Sequence, residues 1–282
     1  MSAKRAFILG HPIRHTISPP MHNAAFEILG IDARYSALDV APADLKAAID
    51  RLREPDVLGA NVTVPHKQAV MALLDEVSDE AAAIGAVNTV VNRDGRLCGY
   101  NTDAPGFLMG LAEAGFEPRG ARAALIGAGG AARAIASALI GSGIGELFIL
   151  NRNSQRAVEL ARDLVVHFGA RSIWGLPLSP GHIEDQIPHC ELLVNATTVG
   201  MHGEASPIPA EMLRPTMLVV DIIYNPPRTE LLAVAESAGA RTQNGLPMLV
   251  YQAAAAFELW TAQPASIPAM RSAAQAALRT FT

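Results

Sequence analysis

Cysteine is nearly absent from this chain of 282 residues. Only Cys98 and Cys190 occur, far apart and outside any CxxC pair. A disulfide framework and a clustered metal site are therefore not expected, and both thiols read as reduced packing residues. Charge is also sparse, at 17% of residues, with a net value of −5. That balance argues against a general nucleic-acid binder, although it leaves room for a local basic pocket. Long hydrophobic runs are missing. The apolar run Ala6–Leu9 behind the basic start is too short for a signal segment, and no stretch approaches the roughly 18–20 residues of a spanning helix. No fixed-period repeat and no low-complexity segment interrupts the chain. A cytoplasmic protein without nucleic-acid or membrane partners is the expectation. Half of the residues are hydrophobic, enough for one large domain or two of ordinary size.

What is present alternates. "AFILG", "ARYSALDV" and "VLGANVTVP" read as strands, and "SPPMHNAAFEILG" and "APADLKAAIDRLRE" as helices between them. Ser18 is suited to cap the first helix, Pro19 to its first position and Gly30 to its end. "KQAVMALLDEVSDEAAAIG" reads as a further helical stretch, and "AVNTVVNRDGRLCGYNTD" as a hairpin turning at Asp94-Gly95. "DAPGFLMGLAEAG" is a helix suited to connect two domains. After it come four more strands, "AALIG", "ELFILNR", "ELLVNATTVGM" and "MLVVDIIYNP", each except the third with a helical stretch before the next. "ARTQNG" reads as a short strand and turn, and the rest as helical. The pattern predicts α/β layers with mainly parallel sheets.

"GAGGAA" (127–132) lies between a strand and a helix of small residues. Gly127 permits a tight turn, Gly129 lets backbone approach a pyrophosphate, and Gly130 with the alanines allows close helix–sheet packing. The next strand ends in "NRNSQR" without the acid that usually holds an NAD ribose. Arg152 and Arg156 are suited instead to a 2′-phosphate, which favours NADP; their ordinary reading is a solvated helix start.

Four polar clusters have no evident folding purpose: "HTISPPMHN" (15–23), "NVTVPHK" (61–67), "AVNT" (86–89) and "YNTD" (100–103). Singly, Thr16 and Ser18 could cap a helix, Asn88 could sit in a turn, Asp103 could be an N-cap and Lys67 could be solvated. Together they fall at the carboxyl ends of predicted strands, where open α/β sheets gather ligands. They suit a small polar anion. Thr16 and Ser18 could bind a carboxylate, while Asn61, Thr63, Asn88 and Asp103 could bind hydroxyls. Lys67 and Asp103 form an ionisable pair suited to proton transfer.

These motifs, with "GAVNTVV", "GYNTDAPGF", "GAGGAARA", "NATTVGM", "YNP" and "GLPMLVYQAA", occur in the order found in shikimate dehydrogenases, which the chain resembles from about residue 7 to 260. The resemblance implies a substrate domain (1–103 plus 246–282), a Rossmann-like NADP domain (104–245) and an active-site cleft between them. It implies Thr16 and Ser18 on the substrate carboxylate, Thr63, Asn88 and Asp103 on hydroxyls with Asn61 close by, and Tyr224 and Gln252 facing the substrate. Lys67 and Asp103 would be the catalytic pair. Gly127, Ala128, Gly129, Gly130 and Ala131 would cradle the pyrophosphate. Asn151, Arg152, Asn153 and Arg156 would surround the ribose phosphate, and Ile222, Gly245 and Met248 would line the nicotinamide side. Asp79 matches a further cofactor-associated position. The implied reaction is reversible reduction of 3-dehydroshikimate by NADPH, in a monomer or homodimer. Two departures stand out. Thr16 replaces the usual serine, adding a methyl to the carboxylate pocket, and Asn153 replaces the usual threonine after Asn-Arg. The rivals are a quinate/shikimate dehydrogenase of broader use, a methylene-tetrahydrofolate dehydrogenase, and a non-catalytic ligand sensor. The "HTISP" and "YNTD" clusters argue against the second, and the lysine–aspartate pair against the third.

Overall fold

The computed structural model describes residues 3–14, 16–169 and 172–280. His15 of the first polar cluster lies outside the described residues. The chain forms two compact units, Met1–Gly106 with Val250–Thr282, and Phe107–Leu249.

The first unit begins with β1 (Lys4–Gly10), α1 (Ser18–Ile28), β2 (Ala33–Asp39), α2 (Leu45–Arg51) and β3 (Val57–Val62). A short β4 (Glu76–Val77), α3 (Asp79–Ile84), β5 (Thr89–Arg93), β6 (Arg96–Tyr100) and the start of α4 (Asp103–Glu113) follow. Its six strands run in the order β2-β1-β3-β5-β6-β4. β1 pairs in parallel with β2 and β3, and β4 with β6, whereas β5 is antiparallel to both neighbours. Leu9, Ala60, Val62, Val90 and Leu97 bury one continuous apolar face with α2 residues Leu45 and Ile49.

Three local details follow from side-chain chemistry. Ser18 is the first helical residue of α1, and Ile17 occupies the cap position without a side-chain bond. Instead the Thr16 hydroxyl accepts the Ser18 N–H at 3.3 Å, so the neighbour does the capping work. The stretch expected as one helix from residue 67 breaks into a short 3-10 turn (Ala69–Leu73), β4 and α3. Asp75 breaks it. Its carboxylate accepts the Leu97 N–H at 2.7 Å and pairs with Arg53, drawing the chain onto the sheet edge. The β5–β6 hairpin turns at Asp94-Gly95, both at positive φ (51° and 88°), the backbone that a two-residue I′ turn requires.

The second unit holds β7 (Arg122–Ile126), α5 (Gly130–Gly141), β8 (Glu146–Asn151), α6 (Ser154–Phe168), β9 (Ile173–Pro177) and α7 (Pro180–Gln186). β10 (Leu192–Asn195), β11 (Leu218–Asp221), α8 (Glu230–Ser237) and β12 (Arg241–Gln243) complete it. All its strands are parallel, in the order β12-β11-β10-β7-β8-β9. This is the doubly wound order with its switch point between β7 and β10. β9 and α7 carry no clear signal in the sequence. β9 is an edge strand with Gly175 inside it and Pro177 at its end, both poor strand formers. Gly175 is there for packing, since a Cβ would lie 2.3 Å from the Ala157 carbonyl of α6.

α9 (Leu246–Thr261) and α10 (Ile267–Leu278) end the described chain. Within the first unit α10 packs on α1, and the Trp260 indole donates to the Val90 carbonyl at 3.0 Å. Among the described residues no helix is long and apolar enough to cross a membrane.

Candidate active site

β3 ends at Val62, and the chain turns back through Thr63–His66, closed by the His66 N–H to the Thr63 carbonyl at 2.8 Å. The buried His66 ring anchors this turn on the Val40 carbonyl at 2.7 Å. The Lys67 carbonyl then accepts the Val87 N–H at 2.8 Å. Lys67 is thus held on both sides by backbone bonds. Asp103 opens α4, where the helix dipole favours an anion. Asn101 supplies the cap, its Oδ1 accepting the N–H groups of Asp103 (3.1 Å) and Ala104 (3.2 Å). The carboxylate of Asp103 is therefore not spent on capping.

It is spent on Lys67. The Lys67 Nζ donates to Asp103 Oδ2 at 2.5 Å, with side chains only 13% and 7% exposed. Asn88 Nδ2 donates to the other oxygen at 2.9 Å. Gln252 on α9 joins the cluster, accepting from the same Asn88 amide at 3.4 Å. The pair removes one charge of each sign from most of the solvent, and the amide supplies the carboxylate with a second donor.

The remaining residues expected in this unit are distributed unevenly. Thr63 follows β3 and lies against Gly10, where a Cβ would fall 2.4 Å from the Thr63 methyl. Ser18 is buried at the start of α1 beside Thr16. Asn61 is buried, and its amide is consumed internally. Its Oδ1 accepts the Tyr35 hydroxyl at 2.7 Å, and its Nδ2 reaches Thr89 Oγ1 and the Asn88 carbonyl. Asp79 is exposed in the first turn of α3, which Ser78 caps. The expectations did not single out Tyr35, Thr89, Asn101 or Thr102. The last three lay inside the quoted "AVNT" and "YNTD" clusters, so the signal was present.

In the second unit β7 runs into Gly127, at φ +118°, where a Cβ would meet the Ala196 carbonyl at 2.9 Å. The turn therefore requires glycine. Gly129 is the N-cap of α5, and a Cβ there would meet nothing within 4 Å. Open space thus fronts the N–H groups of a twelve-residue helix, a fit for a pyrophosphate. Ala128, Gly130 and Ala131 complete the turn. Arg156 reaches the Ala128 carbonyl at 3.4 Å, joining the β8 end to this loop. Asn153 caps α6 by accepting the Arg156 N–H, and Asn151 donates to the Asn153 carbonyl at 2.9 Å. Arg152 and Arg156 are exposed and have no carboxylate partner among the described residues. That is the condition under which guanidinium groups fit a phosphate.

The segment after β11 is shaped by a buried carboxylate. Asp221 accepts from Asn195 Nδ2 (3.1 Å), the Ile223 N–H (3.1 Å) and the Thr229 hydroxyl (2.7 Å). Burial pushes its pKa up, with the Thr229 hydrogen bond opposing. These bonds fix Ile222 and the start of the Tyr224 segment. Gly245 donates to the Ile223 carbonyl at 3.0 Å. A Cβ on Gly245 would lie 1.9 Å from the Ile222 carbonyl, so any side chain would displace Ile222. Met248 is half-buried in the first turn of α9. Among the described residues no group of three or more His, Cys, Asp or Glu could hold a metal ion.

A chain that joins a doubly wound nucleotide-binding sheet to a unit with a sheltered lysine–carboxylate pair is of the dinucleotide-dependent oxidoreductase class. Comparison with known proteins narrows this. Residues 8–90 match the shikimate dehydrogenase substrate binding domain, 110–202 the shikimate / quinate 5-dehydrogenase family, and 245–275 the shikimate 5'-dehydrogenase C-terminal domain. The chain is 48% identical to a shikimate dehydrogenase (NADP(+)) of Moorella thermoacetica, over 93% of this chain and 90% of that one. It superposes on shikimate 5-dehydrogenase from Thermus thermophilus in complex with NADP(H) and shikimate with a TM-score of 0.87, at 42% identity, covering 97% of this chain and 99% of that one. A quinate dehydrogenase from Corynebacterium glutamicum in complex with NAD matches with a TM-score of 0.90 at 33% identity, covering 97% and 99%. The chain belongs to the shikimate dehydrogenase family.

Proposed function

We propose that this protein is an NADP-dependent shikimate dehydrogenase, catalysing the reversible reduction of 3-dehydroshikimate to shikimate on the route to aromatic amino acids. The carrying observation is the Lys67–Asp103 pair at 2.5 Å, with Asn88 donating to the same carboxylate and Gln252 accepting from the Asn88 amide. We assign residues 1–103 with 246–282 to substrate binding and 104–245 to NADP binding. The glycine turn at Gly127–Ala131 suits the pyrophosphate, and the arginines at 152 and 156, free of carboxylates, suit a 2′-phosphate. Asn151 and Asn153 shape that end of β8, and Ile222, Gly245 and Met248 line the nicotinamide side. NADP, when bound, supplies or accepts the hydride.

The chain's own residues manage the rest. When the substrate alcohol is oxidised, its hydroxyl proton must leave as hydride leaves the carbon. Lys67 is the group placed to handle that proton, and Asp103 fixes its Nζ. A neutral Lys67 takes the proton directly, while a charged one stabilises the developing alkoxide. Thr16 and Ser18 hold the substrate carboxylate beside the N-terminus of α1. Thr63, Asn88 and Asp103 hold ring hydroxyls, and Tyr224 and Gln252 complete the contacts. We assign Asp79 only an accessory place on the cofactor side.

The second reading is a quinate/shikimate dehydrogenase of broader substrate or NAD use. Thr16, with its extra methyl, and the similarity to a quinate dehydrogenase favour keeping it. Measuring kcat/KM for shikimate and quinate, each with NADP and NAD, separates the two. The expected order puts shikimate with NADP first. A preference for NAD overturns the reading of Arg152 and Arg156, and a preference for quinate overturns the substrate.

A further inference from the structure

Behind Asp103 runs a buried polar chain that the catalytic roles leave unexplained. It starts at Tyr35 on β2 and passes through Asn61 on β3 and Thr89 on β5 to Asn88, all at most 5% exposed. We infer that Tyr35, Asn61 and Thr89 are positioning residues. They brace the Asn88 side chain, whose hydrogen-bond sense the Thr102 N–H sets, and, through it, the carboxylate of Asp103. The inference rests on the function proposed above and reassigns Asn61 from substrate contact to support.

Amide side chains can usually be turned over, exchanging donor and acceptor. Here two backbone groups forbid it. The Thr102 N–H can only donate, and it lies 2.7 Å from Asn88 Oδ1. Asn88 must therefore present Nδ2 to Asp103 Oδ1. The Asn88 carbonyl can only accept, and it lies 3.3 Å from Asn61 Nδ2. Asn61 must therefore present Oδ1 to Tyr35, whose hydroxyl has to donate, at 2.7 Å. Thr89 closes the link. Its oxygen accepts from Asn61 Nδ2 at 3.1 Å, which leaves its proton for Asn88 Oδ1 at 3.1 Å or Thr102 Oγ1 at 3.1 Å.

The bonds from Tyr35 to Asn61, from Asn61 to Thr89 and from Asn88 to Asp103 thus all run toward the carboxylate. The origin is rigid, because the Tyr35 ring stacks on His22 at 4.2 Å and meets Trp260 at 5.9 Å. Burial strengthens each bond and makes a broken one costly. A carboxylate held this way meets Lys67 Nζ at a constant position, which is what proton handling demands.

The test uses the full chain, assayed with shikimate and NADP. Thr89→Val keeps the shape and removes the hydroxyl, while Thr89→Ser keeps the hydroxyl. The valine variant is expected to lose about tenfold in kcat with KM for shikimate changed by about twofold at most, and serine is expected to restore kcat. A merely structural role would instead lower the melting temperature and leave the kcat of folded enzyme intact. Thr89→Val with wild-type kcat in an active preparation overturns the inference, as does failure of serine to rescue. If the valine variant does not fold, Tyr35→Phe, which retains the stacked ring, is read by the same criteria. Wild-type protein inactive on shikimate and quinate with both cofactors would sink the functional proposal itself, a separate outcome.

Discussion

Lys67→Met is expected to lower kcat by about 10²–10⁴-fold, the range general acid–base groups typically contribute, while KM for shikimate changes far less. Methionine matches the length of the lysine stem but has no proton to give and no charge. Asp103 would keep its bond from Asn88 and lose the Nζ contact at 2.5 Å. Binding as proposed above rests on many groups, including Thr16, Ser18 and Thr63, so it should survive. Steady-state kinetics on protein with an unchanged circular dichroism spectrum decide the matter. A near-normal kcat would remove Lys67 from the mechanism.

Acid should destabilise the protein through His22, and His22→Phe should relieve that sensitivity. His22 is fully buried, and neither ring nitrogen has a hydrogen-bond partner in the structure. Burial lowers its pKa to about 3, with nearby Asn61 offsetting a little. Asn61 spends both amide protons on Thr89 and the Asn88 carbonyl and accepts from Tyr35. The unfolded chain takes up a proton near pH 6.5, and the folded chain refuses it down to about pH 3. Stability is therefore full above pH 6.5 and lost as pH falls through that window, at up to about 1.4 kcal/mol per pH unit. Phenylalanine keeps a ring against Tyr35 and has nothing to protonate. Urea unfolding at pH 7, 6 and 5 should show wild type losing up to about 2 kcal/mol more than the variant between pH 6.5 and 5. Parallel curves would exclude His22 as the acid-sensitive group. Asp221 works in the opposite direction. Its raised pKa means the folded chain binds that proton first and gains stability as pH falls.

The order of strands and helices is largely legible in this sequence, because each buried strand is a short apolar run bounded by glycine, proline or a polar cluster. Asp94-Gly95 announces its hairpin for a stereochemical reason, and Gly127 its turn. What escaped was decided by partners distant in sequence. Asp75 breaks a helical pattern because Leu97 and Arg53 hold its carboxylate, 22 residues away in each direction. β9 is a strand because β8 and α6 offer it an edge, despite its glycine and proline. The site shows the same division. Lys67, Asn88 and Asp103 stand out as polar residues at strand ends. The inward turn of Asn61 could not be read, because it depends on Tyr35 lying across the sheet, 26 residues away.

The first unit is assembled from both ends of the chain, with Phe107–Leu249 between them. During synthesis this has a temporal consequence. The second unit is contiguous, so all its strands are synthesised before α10 is made. The first unit must wait. Until α9 and α10 emerge, α1 lacks the helix packed against it, and the rings of His22 and Tyr35 lack Trp260. The residues that form the proposed catalytic pair are among the earlier ones translated, yet their unit is among the last structures completed.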